Sequence, residues 1–202
     1  MKHNTRYTSA VTNQPFLFQE TLTVARDLQQ GKTWQDIKTR IEVDNVLNYP
    51  AKATRKNVFQ GISARLKTAD MRLITLLLDS PLASAKLVNF FLCLRHFRLL
   101  RELMAEAVLP QIQRGNRELT AFEVNEFFAH KRMTQDTLHR WQDSTFERVK
   151  SNTLRLATDA EVLTGPPQGP WQIQRPLMPL ELSQLLRALD AAAYIPLIGQ
   201  EI

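Results

Sequence analysis

Cysteine is almost missing from this chain. Cys93 is the single one in 202 residues, so no internal disulfide forms and a reducing compartment is expected. Long apolar runs are missing too. The greasiest stretch, LVNFFLCL at 87–94, holds Asn89 and ends at Arg95, far short of the roughly 20 apolar residues a membrane span needs. The opening MKHNTRYTSAVTNQPF has no apolar core of a signal peptide. A soluble, cytoplasmic protein with no membrane partner is expected. Catalytic signatures are also absent: Gly31-Lys32 lacks the rest of a P-loop, and no GxGxxG or GxSxG occurs. His3, His96, His130 and His139 are scattered, and Cys93 has no ligand spacing. The carboxylate pairs Glu123/Glu126 and Asp159/Glu161 fall at caps and helix ends, where the helix dipole accounts for them. No metal, cofactor or enzymatic activity is expected.

What is present is positive charge, unevenly spread. The net charge is +6, which points to an acidic partner such as nucleic acid or an anionic membrane surface. Residues 1–80 carry 12 Lys/Arg against 7 Asp/Glu, whereas residues 81–202 carry 14 against 13. Within the first part, KATRKNVFQGISARLKTA at 52–69 has five basic side chains and no acidic one, though Asp44 and Asp70 bracket it.

The punctuation is helical. Pro15 suits a helix start and Gly31 a helix end. Thr33 with Asp36 and Thr120 with Glu123 form capping boxes, and Ser80-Pro81 and Ser144 with Glu147 give further starts. These signals predict helices from Pro15, over 34–41, from Pro50 to about Ala69, over 71–79, from Ser80 to about Leu109, from Thr120, over 135–142, over 144–158 and from Pro179. Val162-Leu163 and Trp171–Ile173 flank a Gly/Pro-rich turn and predict a small β-hairpin. The expected fold is mainly α, in two helical lobes at 1–79 and 80–202, each with a helix-turn-helix-like unit.

On a helix at 100° per residue, Val58, Phe59, Ile62 and Leu66 share a core-facing arc. Lys52, Lys56, Gln60, Ser63 and Lys67 share the neighbouring one, with Arg55 and Arg65 beside the apolar stripe. A solvated helix usually mixes charge signs for i,i+4 pairing; this one does not. GKTWQDIKTRI, a turn and KATRKNVFQGISARL have the order of a helix-turn-helix, whose second helix enters the major groove. Lys52, Lys56 and Lys67 are therefore candidates for phosphates, with Arg55 or Arg65 adding one more. Thr54, Arg55, Asn57 and Gln60 are candidates for base edges. STFERVKSNTLRLA at 144–157 and the hairpin have the order of a winged helix, with Arg148, Lys150 and Arg155 supplying charge and Arg175 near the base of the wing. Arg95, Arg98 and Arg101 form a third stripe, embedded among Phe90, Phe91, Leu94 and Phe97, and read as the rim of a core or of a domain interface.

GKTWQDIKTRI, ATRKNVFQGISARL, LVNFFLCLRHFRLLRELMAEAVL, LTAFEVNEFFAHK and TFERVKSNTLRLATDAEVL together resemble the BrxA family, the small helical component of BREX bacteriophage-defence systems. The resemblance runs from about Glu20 to the C-terminal helix. It implies a non-enzymatic, double-stranded-DNA-binding protein that works beside other BREX proteins. It also brings in a likeness to the RNA-binding factor NusB. RNA ranks behind duplex DNA, because single strands need exposed aromatics for stacking and only Tyr49 and Phe59 lie near the basic helix. A third reading is a protein-interaction adaptor docking through the apolar tail AAAYIPLIG. One position departs from the family pattern: Glu161 stands where a glycine would ease a left-handed helix end.

Overall fold

The computed structural model describes residues 4–201, so His3 lies outside the described residues. The mainly helical expectation holds. Four helices build the first half: α1 (Phe18–Gln29), α2 (Trp34–Glu42), α3 (Lys52–Leu66) and α4 (Met71–Asp79). Gly31 ends α1 at φ 78, where the Lys32 amide donates to the Asp27 carbonyl across the turn. Thr33 and Asp36 form the expected capping box before α2. The start of α1 differs from expectation. Arg65 draws the carbonyls of Gln14, Pro15 and Phe16 to itself. Leu17 then turns left-handed at φ 49, and the helix opens three residues after Pro15.

The helix expected from Ser80 to Leu109 is broken. Ser80 closes α4 and makes no side-chain cap, and α5 begins at Leu82 and ends at His96. Phe97 is extended, and α6 (Arg98–Leu103) restarts beyond it. A π turn (Met104–Val108) then leads into α7 (Leu109–Gln113). Proline lacks the N–H that would bond the carbonyl four residues back, and its ring crowds that carbonyl. Pro110 sits just after the π turn, whose wider winding makes room.

A two-residue strand β1 (Glu118–Leu119) precedes α8 (Ala121–Thr134), which carries the expected Thr120/Glu123 capping box. Then come α9 (Asp136–His139) and α10 (Asp143–Asp159), the latter capped by neither Ser144 nor any other side chain. The hairpin forms from β2 (Leu163–Thr164) and β3 (Trp171–Ile173), and β1 joins the other edge of β3, giving the antiparallel order β1-β3-β2. Strand β4 (Leu177–Met178), α11 (Leu180–Ala188), α12 (Ile195–Ile198) and β5 (Gln200–Glu201) complete the chain, with β4 and β5 pairing in parallel.

A single buried cluster runs through both halves. It joins Val24, Ile62, Leu73 and Leu77 to Phe90, Phe91, Leu100, Phe128 and Leu156. The tail AAAYIPLIG is part of it: Tyr194, Ile195, Leu197 and Ile198 are buried, and Tyr194 meets Phe91 edge-on at 5.1 Å. Its apolar side chains are spent on this core, which removes the feature that favoured a docking tail. The arginine stripe also behaves structurally. Arg98 bonds Glu102 at 2.6 Å and the Thr5 carbonyl at 2.8 Å, and Arg101 reaches the carbonyls of Leu94 and Asn4 at 3.1 Å. These contacts pin the N-terminal arm to the middle of the molecule.

Candidate nucleic-acid interface

Helix α3 is placed by its apolar face. Val58, Phe59, Ile62 and Leu66 are buried, and Phe59 meets Trp34 of α2 with ring centres 6.5 Å apart. The connection from α2 turns on two left-handed residues, Asn45 at φ 55 and Asn48 at φ 56, a conformation Asn tolerates. The Asn45 side chain accepts from the Tyr49 amide at 2.9 Å. Asp27, buried beneath this unit, pairs with Arg40 at 3.0 Å and with Lys32. Those two cations are therefore neutralised and tie α2 to α1.

The opposite face of α3 is open. Lys52, Thr54, Lys56, Gln60 and Lys67 are exposed, Arg55 and Asn57 half-buried. Ala51 at the N-cap offers no side-chain hydrogen bond, and the first turn holds no acidic residue, so the terminal amides stay free for an anion. Arg55 donates to the Tyr49 carbonyl at 3.1 Å and braces the turn. Lys67 lies over the Trp34 ring at 5.4 Å. Among the described residues, no carboxylate pairs with Lys52, Arg55, Lys56 or Lys67. Over the 1.5 Å rise per residue, Lys52 and Lys67 bracket about 22 Å of helix.

Two expectations fail here. Arg65 is 1% exposed. Its Nη2 donates to Gln14 at 2.6 Å and Pro15 at 2.7 Å, and its Nη1 to Phe16 at 3.0 Å. It braces the inside of the fold and is not presented to a ligand in solvent with the lysines. Ser63 is also buried, with its hydroxyl on the Gln60 carbonyl. The burial of Arg65 follows from a neighbour invisible in a helical projection: the 14–16 segment lies against its side of α3. A Cβ at Gly61 would stand 2.9 Å from the Gln14 side chain.

On α10, Arg148 is exposed with its guanidinium unpaired among the described residues. Lys150 leans on Glu147 at 3.4 Å and Arg155 on Asp159 at 3.7 Å, so this face is partly neutralised. Glu161 adopts φ 61 and pairs with Lys86; the left-handed turn forms without glycine. Pairing of β1 with β3 also brings Arg117 near Arg175, in a cleft of about 380 Å³ with Asn116 and Gln174 and no lining carboxylate. The sequence offers little warning of this pair, because β1 is only two residues long. The shortest signal was the polar run Gln113–Glu118, which ends in a strand too brief to show alternation.

No group of three or more His, Cys, Asp or Glu that could hold a metal occurs among the described residues, and no described helix is long and apolar enough to cross a membrane.

The model of the BrxA family matches residues 5–190. The chain belongs to the BrxA family. It is 26% identical over 195 residues to a BREX protein BrxA of Bacillus cereus (strain H3081.97), covering 96% of this chain and 97% of that one. In three dimensions it is similar to an uncharacterized protein from Magnetospirillum magneticum, with a TM-score of 0.81 at 22% identity over 96% of this chain and 98% of the other. BrxA membership thus spans α1 to α11, including both the basic helix and the β1-β3-β2 unit.

Proposed function

We propose that this BrxA-family chain is a non-enzymatic, double-stranded-DNA-binding component of a BREX phage-defence system. It works in the cytoplasm beside other BREX proteins, and it grips the duplex by the open face of α3. One observation carries the reading: four cations of this one helix, Lys52, Arg55, Lys56 and Lys67, have no carboxylate partner among the described residues, whereas Lys32 and Arg40 beside it are paired with Asp27. Unpaired cations along one face supply the sequence-independent part of duplex affinity. The free amides at the start of α3 add to it. Thr54, Asn57 and Gln60, on or beside the same face, are the groups available for base edges.

A second reading places DNA on α10. Its support is the succession α8, α9, α10, β2, turn, β3 with β1 closing the sheet, the order of a winged helix, together with exposed Arg148. RNA ranks lower, because Phe59 is buried and Tyr49 commits its hydroxyl to Glu20. Gel shifts of the full chain with duplex DNA, single-stranded DNA and RNA over a salt series test the proposal. Preference for single strands, or binding unchanged by charge reversal on α3, overturns it.

A further inference from the structure

Arg65 is as buried as most apolar residues of the core, and no carboxylate pairs with it among the described residues. Its three hydrogen bonds go to neutral carbonyls, and its Nε is buried with no hydrogen-bond partner. Removing a guanidinium from water costs several kcal/mol unless a counter-charge compensates. The nearby Glu20 carboxylate is occupied by the Tyr49 hydroxyl. A buried water would satisfy Nε but would leave the charge facing only the Phe97 ring, 5.2 Å away, and no anion.

Beside Arg65 lies a cleft of about 250 Å³, formed where the ends of α3 and α5 meet the N-terminal arm. Its polar lining is Asn4, Arg65, Thr68, Arg95 and His96, and no carboxylate lines it. Arg95 is 5% exposed and donates through Nη2 to the Thr68 carbonyl and hydroxyl at 3.2 Å. Arg101 stands behind Asn4, on whose carbonyl its Nη2 rests. Exposed Ala64 and Thr68 form the mouth, so the cleft opens to solvent. We propose that this cleft binds a tetrahedral oxyanion of the phosphate type, held by the arginines and the Thr68 hydroxyl. Guanidinium groups favour phosphate because several N–H donors meet its oxygens at once. The volume lies below the usual range for larger organic ligands, roughly 300–1,000 Å³, and suits a small ion.

None of the exposed lysines of α3 lines this cleft, and its test does not depend on them. Thermal unfolding of the full chain is followed in millimolar inorganic phosphate against chloride at equal ionic strength. Wild type should rise saturably, by roughly 5–11 °C at a hundredfold excess of phosphate over its Kd. Ala64→Glu puts a carboxylate at the mouth on an exposed helical position. It should raise Tm in chloride alone and abolish the response to phosphate; Thr68→Asp at the opposite rim should do the same. A flat wild-type titration overturns the proposal. So does an equal phosphate shift in wild type and both variants, which is the general stabilisation of the folded state by an excluded ion. Once the site responds, competition between inorganic phosphate and duplex DNA at fixed ionic strength assigns the occupant to the DNA backbone. Its absence assigns a free phosphate or phosphomonoester.

Discussion

The Lys67 ammonium lies 5.4 Å from the centre of the Trp34 ring, so the residue that closes α3 rests on the residue that opens α2. Trp34 in turn meets Phe59. The basic helix and its supporting helix are thereby locked at one end, while the Lys52 end remains open.

Charge reversal is the first test. Lys52→Glu, Lys56→Glu and Lys67→Glu together should abolish duplex binding at moderate salt, with native circular dichroism. The cost in stability should be small, about 0.5–1 kcal/mol, mostly from the lost cation–π contact at Lys67. Unchanged affinity in a folded triple variant would leave α3 as a solubilising surface.

Salt dependence follows from the same residues. With Arg65 withdrawn into the core, three to four cations remain: Lys52, Lys56 and Lys67, with or without Arg55. The slope of log affinity against log salt should be roughly −2.7 to −3.6, so raising salt from about 50 to 200 mM weakens binding roughly 40- to 150-fold. A slope steeper than about −5 would bring in a second surface, with α10 the first candidate.

Arg65→Ala should destabilise the protein by about 3 kcal/mol or more, because it strands buried carbonyls of Gln14, Pro15 and Phe16 as well as opening a void. Urea unfolding of the variant measures this as a lower midpoint. A loss below about 1 kcal/mol would refute the bracing role.

Burial pushes the His96 imidazole down to about 4, helped by the Arg65 charge. The unfolded chain therefore takes up this proton near pH 6.5 while the folded chain refuses it until about 4. Stability from this group is full above pH 6.5 and falls as pH drops through that window. The loss should be about 1–3 kcal/mol, the lower figure allowing for the partly open edge of the ring. His96→Gln should flatten this part of the curve between pH 7 and 4; an unchanged difference between the two pH values counts against it.

Glu161→Gly relieves a left-handed backbone at φ 61 and gives up the pair with Lys86. The conformational gain of about 1 kcal/mol exceeds the worth of most exposed ion pairs, so Tm should rise by roughly 1–4 °C. A fall in Tm would make the Lys86 contact the stronger partner.

Much of this was legible in the sequence because the signals were local. The capping boxes at Thr33/Asp36 and Thr120/Glu123, the glycine end of α1, and the hairpin strands around the Gly/Pro turn all depend on residues within a few positions. The apolar stripe of α3 was legible too. What escaped depends on distant neighbours. Arg65 reads as a flanking residue until the 14–16 segment lies over it, and Ser63, read on the polar arc, is buried by tertiary packing. The break at Phe97 has no local breaker, proline or glycine, and β1 exists through its pairing with β3. For the candidate site, the lysines were readable from composition, whereas the arginine that leaves the set was not.

The pinned N-terminal arm has a consequence for how the molecule is made. Asn4, Thr5 and Tyr7 hold Arg101, His96, Arg98 and Glu102, which lie 92–97 residues later for the Asn4 contacts and 93–95 for the others. At about 5–20 residues per second, a ribosome needs roughly 5–20 s to supply those partners. Throughout that interval the earlier-made arm waits without these anchors, and α3 waits with it for the Asn89 side chain that shares the Phe16 carbonyl with Arg65. The basic helix α3 is thus made well before the residue that completes its anchoring at Phe16.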